Sequence, residues 1–397
     1  MQPVSLYLHI PFCTHRCAYC DFNTYSGLDH LIPKYVEALC REVEYLSNSI
    51  PERLSVKTIF FGGGTPSLLS PQQVERILQG INTNFQLVPE IEITLEANPG
   101  TLSLEFLQSL VSLGVNRLSL GMQSANLQEL RLLERQHDLW DVVQAVQWAR
   151  KAGFRNLNLD LIFGLPGQKT GEWAKNLSQA VQMNPDHLSL YALTLEHGTP
   201  MEHWVRRGLM VQPDPDDAAD MYEYSMDFLN REGYIHYEIS NWAREGEDGA
   251  AKCCRHNLQY WRNQPYLGVG AGAHGYANGF RVANALAPAQ YIQRYAKGRD
   301  ESACDFPQTP STVSLDRIEE KDEIAETMIM GLRLIQEGVS QKSFFQRFNQ
   351  TLDSVYGEEI KELIQLGLLE WAGNSTEVLR LTPKGRLLGN QVFIRFV

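Results

Sequence analysis

Cys13, Cys17 and Cys20 fall on one short stretch, Pro11-Phe12-Cys13-Thr14-His15-Arg16-Cys17-Ala18-Tyr19-Cys20. Three thiolates so close together can hold three corners of a cubane iron–sulfur cluster and leave the fourth iron without a protein ligand. An open iron is a place for a small molecule to bind and react. A structural zinc site closes with four ligands, and no fourth Cys or Cys-His pair lies nearby. The spacing therefore favours a cluster over zinc or plain buried thiols.

Other residues suited to chemistry sit at the ends of strand-like runs. Gly62-Gly63-Gly64-Thr65-Pro66 follows one such run, and glycines there let backbone amides approach a ligand closely. A tight strand exit would explain them equally well. Glu96 closes Leu95-Glu96-Ala97-Asn98, where a carboxylate can accept hydrogen bonds from ribose hydroxyls or simply face water. Gln123 stands at the end of the run Arg117-Leu118-Ser119-Leu120-Gly121-Met122-Gln123-Ser124, with Arg135 shortly after it. Asp160 is flanked by apolar residues, and a charge within such a strand needs a partner or a ligand. Arg135 is one candidate partner.

Stepping along the chain, the elements that would carry these residues alternate. Ser5–Phe12, Val56–Gly62, Ile91–Ala97, Arg117–Met122, Asn156–Phe163 and His187–Leu195 are short apolar runs. Between them, Lys34–Leu46, Pro71–Ile81, Leu104–Leu113, Leu139–Ala152 and Gly171–Met183 have helical period. Cys40 falls on the apolar stripe of the first helix, as a packing residue. Gly114 and Gly153 look like helix stops. Six β-α units in series predict an α/β fold with a parallel sheet, an incomplete (β/α)6 barrel. In such folds chemistry gathers at the C-terminal ends of the strands, where every candidate above lies.

The whole-chain properties narrow the function classes. At 397 residues the chain can bury one large core and a smaller one. A net charge of −12 argues against a broad nucleic-acid surface. Seven cysteines, three of them claimed by one loop, do not make a disulfide framework. The first residues have no basic region, and no apolar run is long enough for a transmembrane segment. A cytoplasmic protein is expected.

CxxxCxxC is the signature of the radical S-adenosylmethionine (SAM) proteins, and this chain resembles that superfamily. The glycine run resembles its GGE-type motif, with Gly64-Thr65 where many members have glutamate. Nearly the whole chain, from Tyr7-Leu8-His9-Ile10-Pro11-Phe12-Cys13 to Leu381-Thr382-Pro383-Lys384-Gly385-Arg386, resembles the oxygen-independent coproporphyrinogen III oxidases and their heme-chaperone relatives. The resemblance implies a 4Fe-4S cluster on Cys13, Cys17 and Cys20. It also implies SAM contacts at Tyr7, Tyr19, Gly63, Gly64, Thr65, Glu96, Gln123, Arg135 and Asp160. The oxidases carry a further cysteine two residues after the third, where this chain has Phe22.

Cys253-Cys254-Arg255-His256-Asn257-Leu258-Gln259-Tyr260-Trp261 contains HNxxYW, which resembles the signature of the heme chaperones. A neutral imidazole is a good axial ligand for heme iron, and aromatic faces can cover a porphyrin. From the residues alone, His256 and Asn257 could equally be loop hydrogen-bonding partners and Tyr260 and Trp261 core aromatics. The resemblance makes His256, Asn257, Tyr260 and Trp261 heme-binding candidates. Cys253, Cys254 and His274 are further possible iron ligands.

Residues 1–297 are expected to form the barrel with the HNxxYW extension, and 298–315 a linker. Residues 316–397 are expected to form a small, mostly helical, winged-helix-like cap. In it, Asp322–Gln336, Gln341–Phe348 and Tyr356–Leu366 read as helices, and Val378–Leu381 and Val392–Phe396 as strands. Two functions are implied. One is a heme chaperone passing heme to an acceptor protein. The other is a radical SAM enzyme acting on a porphyrinogen. Either would need an electron donor for the cluster.

Overall fold

The computed structural model describes residues 3–50, 52–247, 249–296, 304–373 and 377–397. Six strands alternate with helices along the first half, closely matching the apolar runs. With the short strands of the cysteine region included, they are β1 (Val4–Ile10), β2 (Phe12–Cys13), β3 (Tyr25–Ser26), β4 (Ser55–Gly63), β5 (Gln86–Ala97), β6 (Arg117–Gln123), β7 (Leu157–Phe163) and β8 (His187–Ala192). The helices between them are α1 (Ile32–Asn48), α2 (Pro71–Asn84), α3 (Leu104–Ser112), α4 (Leu127–Leu132), α5 (Leu139–Ala152) and α6 (Thr170–Gln182). The long strands pair in the parallel order β1-β4-β5-β6-β7-β8. β2 and β3 pair with each other and pinch the cysteine segment into a loop.

Local chemistry sets these boundaries. Ser70 and Asp138 form reciprocal capping boxes at the starts of α2 and α5. Gly153 closes α5 at φ 110°, a left-handed value that only glycine adopts without strain. The parallel strands are buried almost throughout, β1 and β7 with only one partly exposed residue each. A parallel sheet covered by helices requires that.

Beyond β1 the sheet continues through Tyr266–Val269, His274–Ala277, Phe280–Asn284 and Thr312–Arg317. The first runs parallel to β1 and the rest antiparallel in series. α1 is tied to this extension by the buried carboxylate of Glu42. It accepts from the Gly270 amide at 2.8 Å, Asn284 Nδ2 at 2.8 Å, and the hydroxyls of Tyr291, Thr309 and Ser311 at 2.5, 3.0 and 2.6 Å. That many donors balance the cost of burying a charge.

The chain divides into two compact units, and the division corrects the expected boundaries. One comprises 1–228 and 265–317, the other 229–264 and 318–397. The HNxxYW segment therefore packs with the C-terminal residues. The expected linker 298–315 falls partly on 298–303, outside the described residues. Its end is an edge strand, Thr312–Arg317, hydrogen-bonded to Phe280–Asn284.

The second unit holds the hairpin Tyr234–Glu238 and Asn241–Arg244, the helix Arg255–Trp261, and helices Glu320–Gly331, Gln341–Phe348 and Leu352–Gln365. Val339–Ser340, Val378–Leu381 and Leu369–Ala372 form a three-stranded antiparallel sheet, so the cap is winged-helix-like. Val392–Phe396, expected as a strand, is helical: Gly389–Phe393 runs into a turn at Ile394–Phe396. Val392, Phe393 and Phe396 are buried while Ile394 is exposed, a one-sided spacing that a helix satisfies and a strand does not.

Candidate functional site

The mouth of the parallel sheet opens on a cavity of about 390 Å3. It is lined by Cys13, Cys17 and Cys20 together with Tyr19, Gly63, Gly64, Thr65, Glu96, Asn98, Ser119, Gly121, Gln123, Arg135, Asp160 and Ile162. Residues from every strand end of the barrel thus converge, including all but one of those assigned to SAM. Tyr7 is not on the lining. Its hydroxyl bonds His9 Nδ1 at 3.0 Å, and its ring stacks against Phe60.

The glycine run owes its composition to packing. The Gly64 amide donates to Ile10 O at 2.9 Å and the Thr65 amide to Phe12 O at 2.8 Å, which zips the loop onto the chain leading to Cys13. A Cβ on Gly64 would stand 2.6 Å from Phe12 O, and one on Gly63 2.5 Å from the His9 ring. These contacts hold the loop so that Thr65 Oγ1 reaches Cys13 Sγ at 3.5 Å.

The carboxylates of Glu96 and Asp160 face the cavity without an adjoining arginine from the 135 position. Glu96 Oε2 accepts from the Gly63 amide at 3.2 Å. Asp160 accepts from Ser119 Oγ at 2.9 Å and Asn158 Nδ2 at 2.8 Å. Burial pushes the Glu96 carboxyl up to about 8, with the Asp160 charge adding to it; the Gly63 amide and Arg117 oppose the shift. Burial also raises Asp160, against its hydrogen bonds and Arg117. The expected Asp160–Arg135 pairing is corrected: the cation that acts on both carboxylates is Arg117. It is buried at the first position of β6, and a charge opening an apolar strand was its signal in the sequence.

Arg135 serves the cysteines instead. Its Nη1 donates to Cys17 Sγ at 3.5 Å and its Nη2 to Gly121 O at 3.1 Å. β6 bulges after Gly121, and Gln123 takes a left-handed φ of 63°. Bulges of this kind re-aim side chains beside functional sites. The sequence reading also passed over Thr24, whose hydroxyl lies 3.8 Å from Cys20 Sγ, and Asn23. Asn23 Nδ2 bonds Ala271 O and Leu286 O while its carbonyl meets His9 Nε2. Phe22 is 62% exposed at the cavity rim.

All the cysteines of the loop are free thiols, and among the described residues no three His, Cys, Asp or Glu side chains converge on a single metal ion. The donor set fits a larger group. Three soft sulfurs line one cavity, each within reach of a hydrogen-bond donor. Asn98 Oδ1 and Arg135 Nε are buried there without a partner among the described residues, and buried polar atoms of that kind call for one. Burial pushes the Cys13 and Cys20 thiols up; iron would overcome this, since metal coordination deprotonates a thiol.

The HNxxYW motif occupies the short helix Arg255–Trp261 of the second unit. His256 is 1% exposed, and its Nε2 meets the Tyr260 hydroxyl at 2.9 Å with the rings edge to face. Trp261 lies under the Arg333 guanidinium, 4.3 Å from the ring centre, and packs with Cys253 against Tyr237, Leu258 and Leu334. Cys254 is buried, whereas His274 of the first unit is exposed.

A family model described as the Radical SAM superfamily matches residues 7–180, and one described as the HemN C-terminal domain matches residues 318–388. A Lactococcus lactis protein named heme chaperone HemW is 39% identical over 396 residues, covering 100% of this chain and 98% of the relative. HemW of Bacillus subtilis is 37% identical over 396 residues, covering 99% of each. The solved structure of coproporphyrinogen III oxidase (HemN) from Escherichia coli, described as a radical SAM enzyme, has a TM-score of 0.81 at 25% identity. It covers 99% of this chain and 90% of that one. No helix among the described residues is long and apolar enough to cross a membrane. Full-length identity at this level, on a barrel whose mouth gathers the CxxxCxxC cysteines, means that the chain belongs to the HemW family of the radical SAM superfamily.

Proposed function

We propose that this protein is a heme chaperone: it binds heme and passes it to an acceptor protein, using a 4Fe-4S cluster on Cys13, Cys17 and Cys20 with SAM exchangeable at the fourth iron. The observation that carries the reading is the likeness over the full chain to relatives named heme chaperone, together with three free thiols on one cavity. Bound cluster and SAM supply one-electron reductive chemistry.

The chain's own residues do the rest. Thr65, Arg135 and Thr24 donate to the sulfurs. Glu96 and Asp160 offer carboxylates to hydroxyl or ammonium groups of SAM, while Tyr19, Gly63, Gly64, Gln123 and Arg135 complete its walls. Asn98 Oδ1 and Arg135 Nε are available to the same ligand. His256, Asn257, Tyr260 and Trp261 are the heme candidates. His256 Nε2 would have to leave the Tyr260 hydroxyl to reach iron; Cys253, Cys254 and His274 are further candidate ligands.

A second reading, a radical SAM enzyme acting on a porphyrinogen, is favoured by the HemN-like fold and disfavoured by Phe22 in place of the oxidases' additional cysteine. Anaerobically reconstituted protein, assayed for heme transfer and coproporphyrinogen decarboxylation in parallel, separates the two. Heme should bind and move to an acceptor while coproporphyrinogen stays intact. A protein that decarboxylates coproporphyrinogen and binds no heme would replace the chaperone reading with the enzyme one. Alanine at Cys13, Cys17 or Cys20 should abolish the cluster's visible absorption; unchanged iron and sulfide in the triple variant would sink the ligand assignment.

A further inference from the structure

The three sulfurs differ in what touches them. Thr65 Oγ1 donates to Cys13 Sγ at 3.5 Å, and the Thr24 hydroxyl lies 3.8 Å from Cys20 Sγ. Among the described residues, Cys17 alone of the three receives a charged donor, Arg135 Nη1, at 3.5 Å.

The guanidinium is held in place by design of the strand beneath it. Its Nη2 bonds Gly121 O at 3.1 Å. A Cβ at residue 121 would stand 3.1 Å from that Nη2 and 3.0 Å from Gln123 Nε2, so glycine leaves the space the guanidinium fills. The bulge that follows brings Gln123 to the same spot.

We propose that Arg135 sets the reduction potential of the cluster through this bond to Cys17, a role separate from any contact with SAM. The proposal rests on the reading that the three cysteines hold a 4Fe-4S cluster. Reduction takes one electron from an external one-electron donor and adds one negative charge to the cluster without breaking a bond. A fixed cation and a charge-assisted hydrogen bond on a ligand sulfur stabilise the more negative, reduced form and raise the potential. The two threonine hydroxyls act in the same direction, more weakly, because they are neutral donors.

The test is a dithionite titration of the anaerobically reconstituted full chain, followed by electron paramagnetic resonance and run without SAM, so that SAM binding does not enter. Arg135→Gln should lower the ratio of reduced to oxidised cluster at a fixed potential roughly tenfold, about 59 mV for one electron. Arg135→Lys, which keeps the charge, should recover most of that. Gly121→Ala displaces the guanidinium without removing it and should shift the potential the same way, by less. Thr65→Val should shift it least.

Equal midpoints in wild type, Arg135→Gln and Gly121→Ala would overturn the proposal. If Arg135→Gln assembles no cluster, Gly121→Ala against wild type decides: a lower midpoint supports it and an equal one overturns it. Failure of the wild type itself to take up iron and sulfide would instead refute the cluster reading on which the proposal stands.

Discussion

His256 Nε2 lies 2.9 Å from the Tyr260 hydroxyl, one helical turn along the same helix, so the imidazole named for heme iron is already engaged. Two variants separate ligation from support. His256→Ala should weaken heme binding and, by removing a buried hydrogen bond, lower stability by about 1–3 kcal/mol. Tyr260→Phe keeps the imidazole and removes this hydroxyl from its Nε2, and should bind heme at least as tightly as wild type. Heme titration with Soret position and thermal denaturation on both proteins checks this. Equal weakening in the two would show that the motif acts through folding.

The two cavity carboxylates should respond differently to amide substitution. Glu96→Gln retains an oxygen for the Gly63 amide, so stability holds while SAM affinity falls by about tenfold or more, ~1.4 kcal/mol. Asp160→Asn keeps an oxygen for only one of the two donors Ser119 Oγ and Asn158 Nδ2, and should cost stability as well, about 1–3 kcal/mol. Calorimetric SAM titration beside melting curves tests both. Undiminished SAM affinity in both variants would make these carboxylates structural.

Burial of Glu96 has a consequence for pH. Its carboxyl titrates near 8 in the folded chain against 4.5 as the reference, so between these values the folded state holds a proton that the unfolded state has lost. Stability then falls as pH rises from about 4.5 to about 8. Melting temperatures of the metal-free protein across that window should decline, and Glu96→Gln should flatten the decline. An identical slope in the variant would assign the effect to other groups.

Gly64→Ala tests whether the glycine loop holds the cysteine region. Its Cβ would press on two backbone carbonyls, those of Phe12 at 2.6 Å and Ile10 at 2.7 Å, neither able to move alone. We expect a loss of about 1–3 kcal/mol and reduced iron uptake. Gly171→Ala, in α6 with nothing within 4 Å of the new atom, should be neutral or stabilising by roughly 0.5–1 kcal/mol. Melting curves and iron analysis on both proteins decide; full iron uptake by Gly64→Ala would end the argument.

The six alternating β-α units, the cysteine loop and most of the cavity wall are legible in the order of residues alone. Strand and helix periods, capping residues such as Asp138 and stops such as Gly153 are local properties, and parallel topology places every strand's C-terminal end on one rim. Other features arise from long-range packing that local patterns do not encode. Arg135 is near Asp160 in the order of motifs, yet the bulge after Gly121 sends it to Cys17 and leaves Arg117 to the carboxylates. Glu42 reads as an ordinary helix charge, but it is buried under donors from Gly270, Asn284, Tyr291, Thr309 and Ser311. Residues 229–264 join the C-terminal unit across a long interval of chain. Val392–Phe396 became helical because its burial is one-sided. In each case the outcome depends on which distant groups meet, and that is fixed by packing and register in three dimensions rather than by the spacing of residues along the chain.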